Sequence, residues 1–192
     1  DTYTIFSVNK IDDEQYSEEY KAQFYNKEIN YFTKNEIINL YHKLNVLSQI
    51  NHPAILRFIG YSPVDYDNKP KPVIVTESCS NEIKKIKGDS TKILIAIYGI
   101  ASAMAFLHSH DIIHRDLNPS NIYLDDNCFP KITNFDISLE MNNIISEEND
   151  KIKGTPIYIA PETYLNKEYS KASDVYSFSL IMYRFITECK PY

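Results

Sequence analysis

Apolar side chains recur at two different periods along this chain. Before residue 80 the main signal is strand-like: residues 3–11, 54–62 and 72–77 are rich in aromatic and β-branched side chains and predict three strands. The exception runs from Thr33 to Ile50, where Ile37, Leu40, Leu44 and Leu47 fall at helical spacing. Thr33 is placed to cap that helix, and Asn51-His52-Pro53 to end it. Residues 12–32 are polar, acidic and rich in tyrosine without a clean period, and predict a loop or a marginal helix. The turn-rich run DYDNKPK links the last two strands.

Past a lysine-rich polar joint at 81–92, the helical period takes over. Residues 93–108 predict the clearest helix, with Ile97, Ile100, Ala101, Met104 and Leu107 or His108 on one face and Ser90 or Thr91 near its start. Residues 173–187 predict another, striped by Val175, Phe178, Ile181, Met182 and Phe185. Short strand pieces at 112–114, 121–124 and 131–133 and a polar segment at 137–153 lie between them. Nothing repeats at a fixed period. Strands before residue 80 and helices after it predict a two-part α+β architecture, divided as residues 1–79 and 80–192.

Composition narrows the function classes without altering this outline. At 192 residues, 43% hydrophobic and 24% charged, the chain is ordinary globular material with enough length for a sizeable core. A net charge of −6 lacks the basic footprint of a nucleic-acid partner. Cys79, Cys128 and Cys189 are scattered, with neither a disulfide framework nor zinc-ligand spacing, so a reducing, cytoplasmic setting is expected. No apolar run approaches membrane-spanning length and no signal-peptide pattern opens the chain, so no membrane insertion is expected of this segment. Its start at Asp1 and its end in CKPY read as an excised piece of a longer protein.

Chemistry concentrates in HRDLNPSN, His114 to Asn121. Asp116 and Asn121 must share a loop, because Pro119 blocks a regular helix through them. A hydroxyl nucleophile needs a carboxylate to orient it and take its proton, and a phosphate under attack needs oxygen ligands that hold a metal. An isolated pair of this kind is usually a surface turn. The flanking pattern argues otherwise.

IIHRDLNPSNIYL resembles the catalytic loop of a eukaryotic protein kinase, KITNFDIS its magnesium loop and GTPIYIAPE the end of its activation segment. SDVYSFSLIMY resembles the long buried helix of the large lobe, INHPAILRFIGYS the end of the small-lobe helix with the next strand, and VIVTES the strand leading to the hinge. Six motifs in order resemble a two-lobe kinase fold from its third strand onward. NHPAIL, FIGYS, GTPIYIAPE and Pro119-Ser120 look most like the tyrosine-kinase-like Ser/Thr group.

The resemblance implies roles. Asp116 becomes the catalytic base, Asn121 a metal ligand, and Arg115 the partner of a phosphorylated activation segment, with Thr155 and Ser146 as phosphosites. Thr76 becomes the gatekeeper, Glu77 and Cys79 the hinge that meets an adenine edge, and Asp174 the brace of the catalytic loop. Glu162 would anchor the activation segment to an arginine beyond residue 192. Phe58, Leu47, Phe135 and His114 would stack as a hydrophobic spine. ATP would be the nucleotide, and proteins the substrates or partners.

The departures cluster on charge. Where the family carries its strand lysine, FSVNKI places Asn9, and Lys10 beside it faces the other way unless the strand bulges. Lys43 stands at the usual helix glutamate, either turned toward a nucleotide phosphate or Asp136, or swung out to solvent. Asn134 replaces the metal-chelating Asp, Asp136 the Gly after it, and Asn118 the lysine that approaches the transferred phosphate. Magnesium is therefore expected to bind weakly or not at all. Two readings are open: a pseudokinase acting as a regulatory or scaffolding module with weak ATP binding, or an active Ser/Thr kinase with atypical metal and phosphate handling. A third is a fragment that is no independent module, with an unpaired sheet edge and exposed core.

Overall fold

The computed structural model describes residues 3–10, 18–25, 34–65, 67–79, 81–86, 88–140 and 152–191; for 3–10, 18–25, 34–36, 39, 81–82, 84–85 and 139–140 it describes the backbone only. Thr33 and Ser146 lie outside these residues. The chain divides into two compact units, one of Asp1–Asn51 with Leu56–Ser78 and one of His52–Ile55 with Cys79–Tyr192.

The first unit is an antiparallel sheet with one helix. Its strands are β1 (Tyr3–Lys10), β2 (Glu18–Tyr25), β3 (Phe58–Ser62) and β4 (Val73–Glu77), in the order β1-β2-β4-β3. The expectation of a loop or marginal helix over 12–32 is corrected over 18–25 by β2, and the expectation for 12–17 and 26–32 lies outside the described residues. Tyr20, Ala22 and Phe24 alternate with Lys21, Gln23 and Tyr25, and the ladder from Phe24↔Val73 to Tyr20↔Glu77 fixes that alternation as strand. β1 is thereby one strand removed from β4. Its pairing with β2 runs without a break, so no bulge occurs at Asn9 or Lys10. β3 begins at Phe58 rather than 54 and carries a register shift between Phe58 and Gly60.

Helix α1 (Lys34–Gln49) buries Leu40, Val46 and Leu47, with Ile50 just beyond its end. Lys43 falls on that same stripe and is only 7% exposed, which rules out the solvent-facing placement. A residue three positions after Leu40 and three before Val46 is carried inward by the helical turn.

The second unit is built on helices α2 (Ser90–Ser109), α3 (Pro161–Asn166) and α4 (Lys171–Thr187). The polar joint at 81–92 proves structured: β5 (Asn81–Glu82) and a 3₁₀ turn at Ile83–Ile86 bury both isoleucines. α2 starts earlier than its apolar run, because Asp89 accepts the backbone N–H of Lys92 and caps it. That N–H also holds the Asp89 carboxyl below its usual range. Its buried positions are Ala96, Ile100, Ala103, Met104 and Leu107, so the core face is turned away from Ile97 and Ala101.

By length and composition alone, the 20-residue α2 is long and apolar enough to cross a membrane, which corrects the expectation that no run reaches that length. Here it packs as a core helix against β6 (Ile112–Ile113), β8 (Pro130–Ile132) and α4. Gly99 permits the β8 contact, since a Cβ there would meet Pro130 Cγ at 2.4 Å. β7 (Ile122–Leu124) joins β5 and β8 in one small sheet, and β9 (Leu139–Glu140) pairs with β6. α4 buries Asp174, Phe178, Ile181 and Phe185 and opens with a capping box at Ser170 and Ser173, but Val175 is half exposed rather than part of the core stripe.

His52–Ile55 joins this unit through backbone and ring. Ile132 N donates to Ala54 O at 2.9 Å, and Ile55 bridges Ile132. His52 Nδ1 accepts the Ala54 N–H at 3.1 Å, which leaves Nε2–H to meet Ser102 Oγ at 3.1 Å. That geometry needs the neutral ring, and burial, aided by the charge of Lys131, lowers the His52 pKa below its ordinary 6.5. The unfolded chain then binds a proton that the folded chain refuses. His52 thus contributes stability that is full above pH ~6.5 and is lost as pH falls below it. Thermal melts from pH 7.5 to 5 are expected to show this decline, and His52→Gln to flatten that part of it.

Candidate functional site

Asp174 sets the geometry of the HRDLNPSN loop. It lies on the first turn of α4, is 1% exposed, and accepts backbone N–H groups from His114 through Oδ2 at 2.9 Å and from Arg115 through Oδ1 at 3.0 Å. His108 Nε2, from α2, meets Oδ2 at 3.0 Å. Arg115 itself adopts φ 70°, a left-handed value that most side chains avoid, so the chain turns sharply there as it enters Asp116.

The His114 ring then ties the start of the loop to the segment that carries Asn134. Its Nδ1 accepts the Asp116 N–H at 3.2 Å, which leaves Nε2–H to donate to Thr133 O at 2.9 Å. It meets the Phe135 ring edge-on at 5.0 Å, with both residues buried. Phe58 and the buried Leu47 lie in the first unit, on β3 and α1.

Asp116 stands at the centre of a polar network. Its Oδ1 accepts Thr155 N–H at 2.8 Å, Thr155 Oγ1–H at 2.7 Å and Asn118 Nδ2–H at 3.1 Å. Its Oδ2 accepts Asn121 Nδ2–H at 2.8 Å and Asn134 Nδ2–H at 3.4 Å. A carboxylate has about four lone-pair sites, so this one is fully occupied. Asn118, 3% exposed, also donates to Thr155 Oγ1 and accepts the Ser120 N–H, capping the 3₁₀ turn Pro119–Asn121. Asn134 adopts φ 65°, which asparagine tolerates well, and donates to Asn121 Oδ1 at 3.3 Å.

Thr155 reaches Asp116 only because a glycine precedes it. Gly154 has φ 111°, and a Cβ there would lie 2.8 Å from Arg115 O. The family resemblance implies a phosphosite at Thr155; in the structure its hydroxyl donates to Asp116. Arg115, read as the partner of a phosphate, places its guanidinium 4.2 Å over the ring of Tyr169. The Tyr169 hydroxyl in turn accepts Lys153 N–H at 2.7 Å and bonds Lys153 O. The roles of His108, Gly154 and Tyr169 do not stand out from sequence, although Gly154 opens the quoted GTPIYIAPE. LHS before IIHRD and GT before PIYIAPE were the available signals.

The other candidates divide between the units. Glu77 lies at the end of β4, where its Oε1 and N–H bond the backbone of Arg57. Thr76 precedes it, and across the ladder Lys21 of β2, not Asn9 or Lys10, stands opposite Thr76. Cys79 is buried at the start of the second unit. Glu162 is exposed in the first turn of α3 and makes no ion pair among the described residues. Asp136 is half-buried in the turn after Phe135.

A family model described as protein kinase domain matches residues 7–192. The chain is 32% identical over 167 residues to the dual specificity protein kinase shkD of Dictyostelium discoideum, covering 82% of this chain and 22% of that protein. It is 36% identical over 155 residues to a putative serine/threonine-protein kinase/receptor of Acanthamoeba polyphaga mimivirus, covering 76% and 9%. It is 30% identical over 173 residues to the serine/threonine-protein kinase RUNKEL of Arabidopsis thaliana, covering 86% and 12%. The chain therefore spans less than a quarter of the length of each of these relatives.

Two substitutions test how the loop is held. Asp174→Ala leaves the buried N–H groups of His114 and Arg115 without an acceptor and is expected to destabilise by on the order of 3 kcal/mol in denaturant unfolding, with Asp174→Asn milder. Gly154→Ala is expected to lower stability by about 1–3 kcal/mol, through a strained φ and the Arg115 carbonyl contact.

Proposed function

The chain belongs to the protein kinase domain family, and on that premise we propose that it is a kinase-fold regulatory or scaffolding module whose own phosphotransfer is impaired. The observation that carries this reading is the pair Asn118 and Asn134. Both stand where the family pattern has a charged residue that serves phosphate or metal, and both spend their amides on Asp116. Phosphoryl transfer depends mainly on positioning and on neutralising developing charge. The loop retains the first and lacks most of the second.

The tyrosine-kinase-like Ser/Thr character, a cytoplasmic setting and protein partners belong to the same proposal. So does nucleotide binding that does not require magnesium. Lys43 is the cation we assign to the phosphates of a bound nucleotide: it is buried on the α1 stripe, at the position where the family pattern has a glutamate. ATP is expected to raise the melting temperature with magnesium chelated, and Lys43→Ala to abolish that rise. The idea fails if ATP has no effect, or if Lys43→Ala keeps all of it.

A second reading, an active Ser/Thr kinase with atypical metal handling, draws support from Asp116 and Asn121, which hold the spacing of a working loop and are bonded to each other. Phosphate release and autophosphorylation by the complete domain separate the two, with Asp116→Ala as control. Turnover is expected at least ~10³-fold below the roughly 1–100 s⁻¹ of competent kinases. Turnover within that range, abolished in Asp116→Ala, overturns the impaired reading.

A further inference from the structure

A magnesium ion would be held in this family by the oxygen atoms at the positions of Asn121 and Asn134, beside Asp116. Three observations set the residues present against that role. Asp116 is the single carboxylate of the three. Asn134 presents its Nδ2 to Asp116 Oδ2 at 3.4 Å and to Asn121 Oδ1 at 3.3 Å, so N–H hydrogens point at the oxygens a cation must capture. Among the described residues, no group of three or more His, Cys, Asp or Glu could hold a metal ion. A hard dication binds charged and carbonyl oxygens and is repelled by N–H groups aimed into its place. The residues do not fit the ion.

From this disagreement we infer that the Asn134 amide takes over the cation's structural task, tying the Asp116 carboxylate to the Asn121 carbonyl, and that this one side chain makes the loop indifferent to divalent metal. The inference rests on the reading of this loop as the phosphotransfer loop and names what determines its metal response. The local bonding is closed without an ion. Thr133 N–H and Oγ1–H both donate to Asn121 O, at 2.9 and 3.1 Å, and so bring the segment carrying Asn134 against the loop. Asn121 Nδ2–H then bonds Asp116 O and Oδ2, both at 2.8 Å. The left-handed backbone at Asn134 suits Asn, Asp and Gly alike, so the amide can be exchanged without forcing the chain.

The consequence is a gain of metal response from one substitution. Asn134→Asp removes the two N–H donors and sets a second carboxylate beside Asp116, with Asn121 Oδ1 freed. With metal chelated, the like charges are expected to lower the melting temperature below that of the unaltered protein. Magnesium or manganese at millimolar concentration is then expected to raise it by at least ~2 °C over a sodium chloride control of equal ionic strength. The unaltered protein and Asn134→Gly are expected to show no such rise, with Asn134→Gly also less stable because the tie is gone. The measurement uses no nucleotide, so its outcome is separate from any measured turnover.

Equal metal stabilisation of the unaltered protein and Asn134→Asp overturns the inference, as does a folded Asn134→Asp that ignores both ions. Should Asn134→Asp fail to fold, manganese added to the unaltered protein decides. Selective paramagnetic broadening of the Asn121 and Asn134 side-chain amide signals at submillimolar manganese defeats the inference, and their persistence supports it.

Discussion

One buried carboxylate holds the working part of this protein in shape. Asp174 binds the N–H groups of two consecutive residues, His114 and Arg115, and takes a third contact from His108. Just past those two N–H groups the backbone of Arg115 is left-handed, which turns the chain into Asp116. Such a conformation costs on the order of 1 kcal/mol or more, and the bonds to an otherwise unsatisfied buried charge offset it. α4 and α2 thereby fix the direction in which the chain enters Asp116. Everything after that point inherits its position from them.

Downstream of the clamp, neutral side chains stand where the family pattern has charged ones. Asn118 caps a 3₁₀ turn and bridges Asp116 to Thr155. Asn134 bridges Asp116 to Asn121. Each amide satisfies Asp116 as a hydrogen-bond acceptor, and neither brings a charge. The loop is thereby ordered through neutral amides, and this is the ground on which impaired phosphotransfer is proposed. The Tyr169 hydroxyl on the Lys153 backbone and the Arg115 guanidinium over the Tyr169 ring add further order beside Gly154.

Some elements were legible before the structure and others were not, for identifiable reasons. α1 and α4 carry strong apolar stripes over several turns, and β4 is a compact apolar run; such signals survive in any context. β2 is hidden in the sequence because Tyr20, Ala22 and Phe24 alternate only briefly among charges, and the strand pairs with β4, whose residues lie about fifty positions away. The start of α2 is ambiguous in the sequence because Asp89, Ser90 and Thr91 are all competent caps, and only the bond from Lys92 N–H selects the first. The direction of Lys43 follows from helix geometry, since it shares the buried stripe of Leu40 and Val46.

The order of residues alone specifies the kinds of chemical groups available: Asp116 and Asn121 on a proline-broken loop, asparagines at 118 and 134, a lysine at 43. It also specifies the α+β order of elements, because hydrophobic period is a local property. The uses of those groups were settled by the folded chain. An asparagine amide is both donor and acceptor, so its identity does not say whether it offers an oxygen to a cation or an N–H to a carboxylate. That depends on partners far off in the chain: Asn121 is 13 residues before Asn134, and Thr155 lies 39 beyond Asp116. Those partners meet because Asp174 and Gly154 bend the backbone that brings them there.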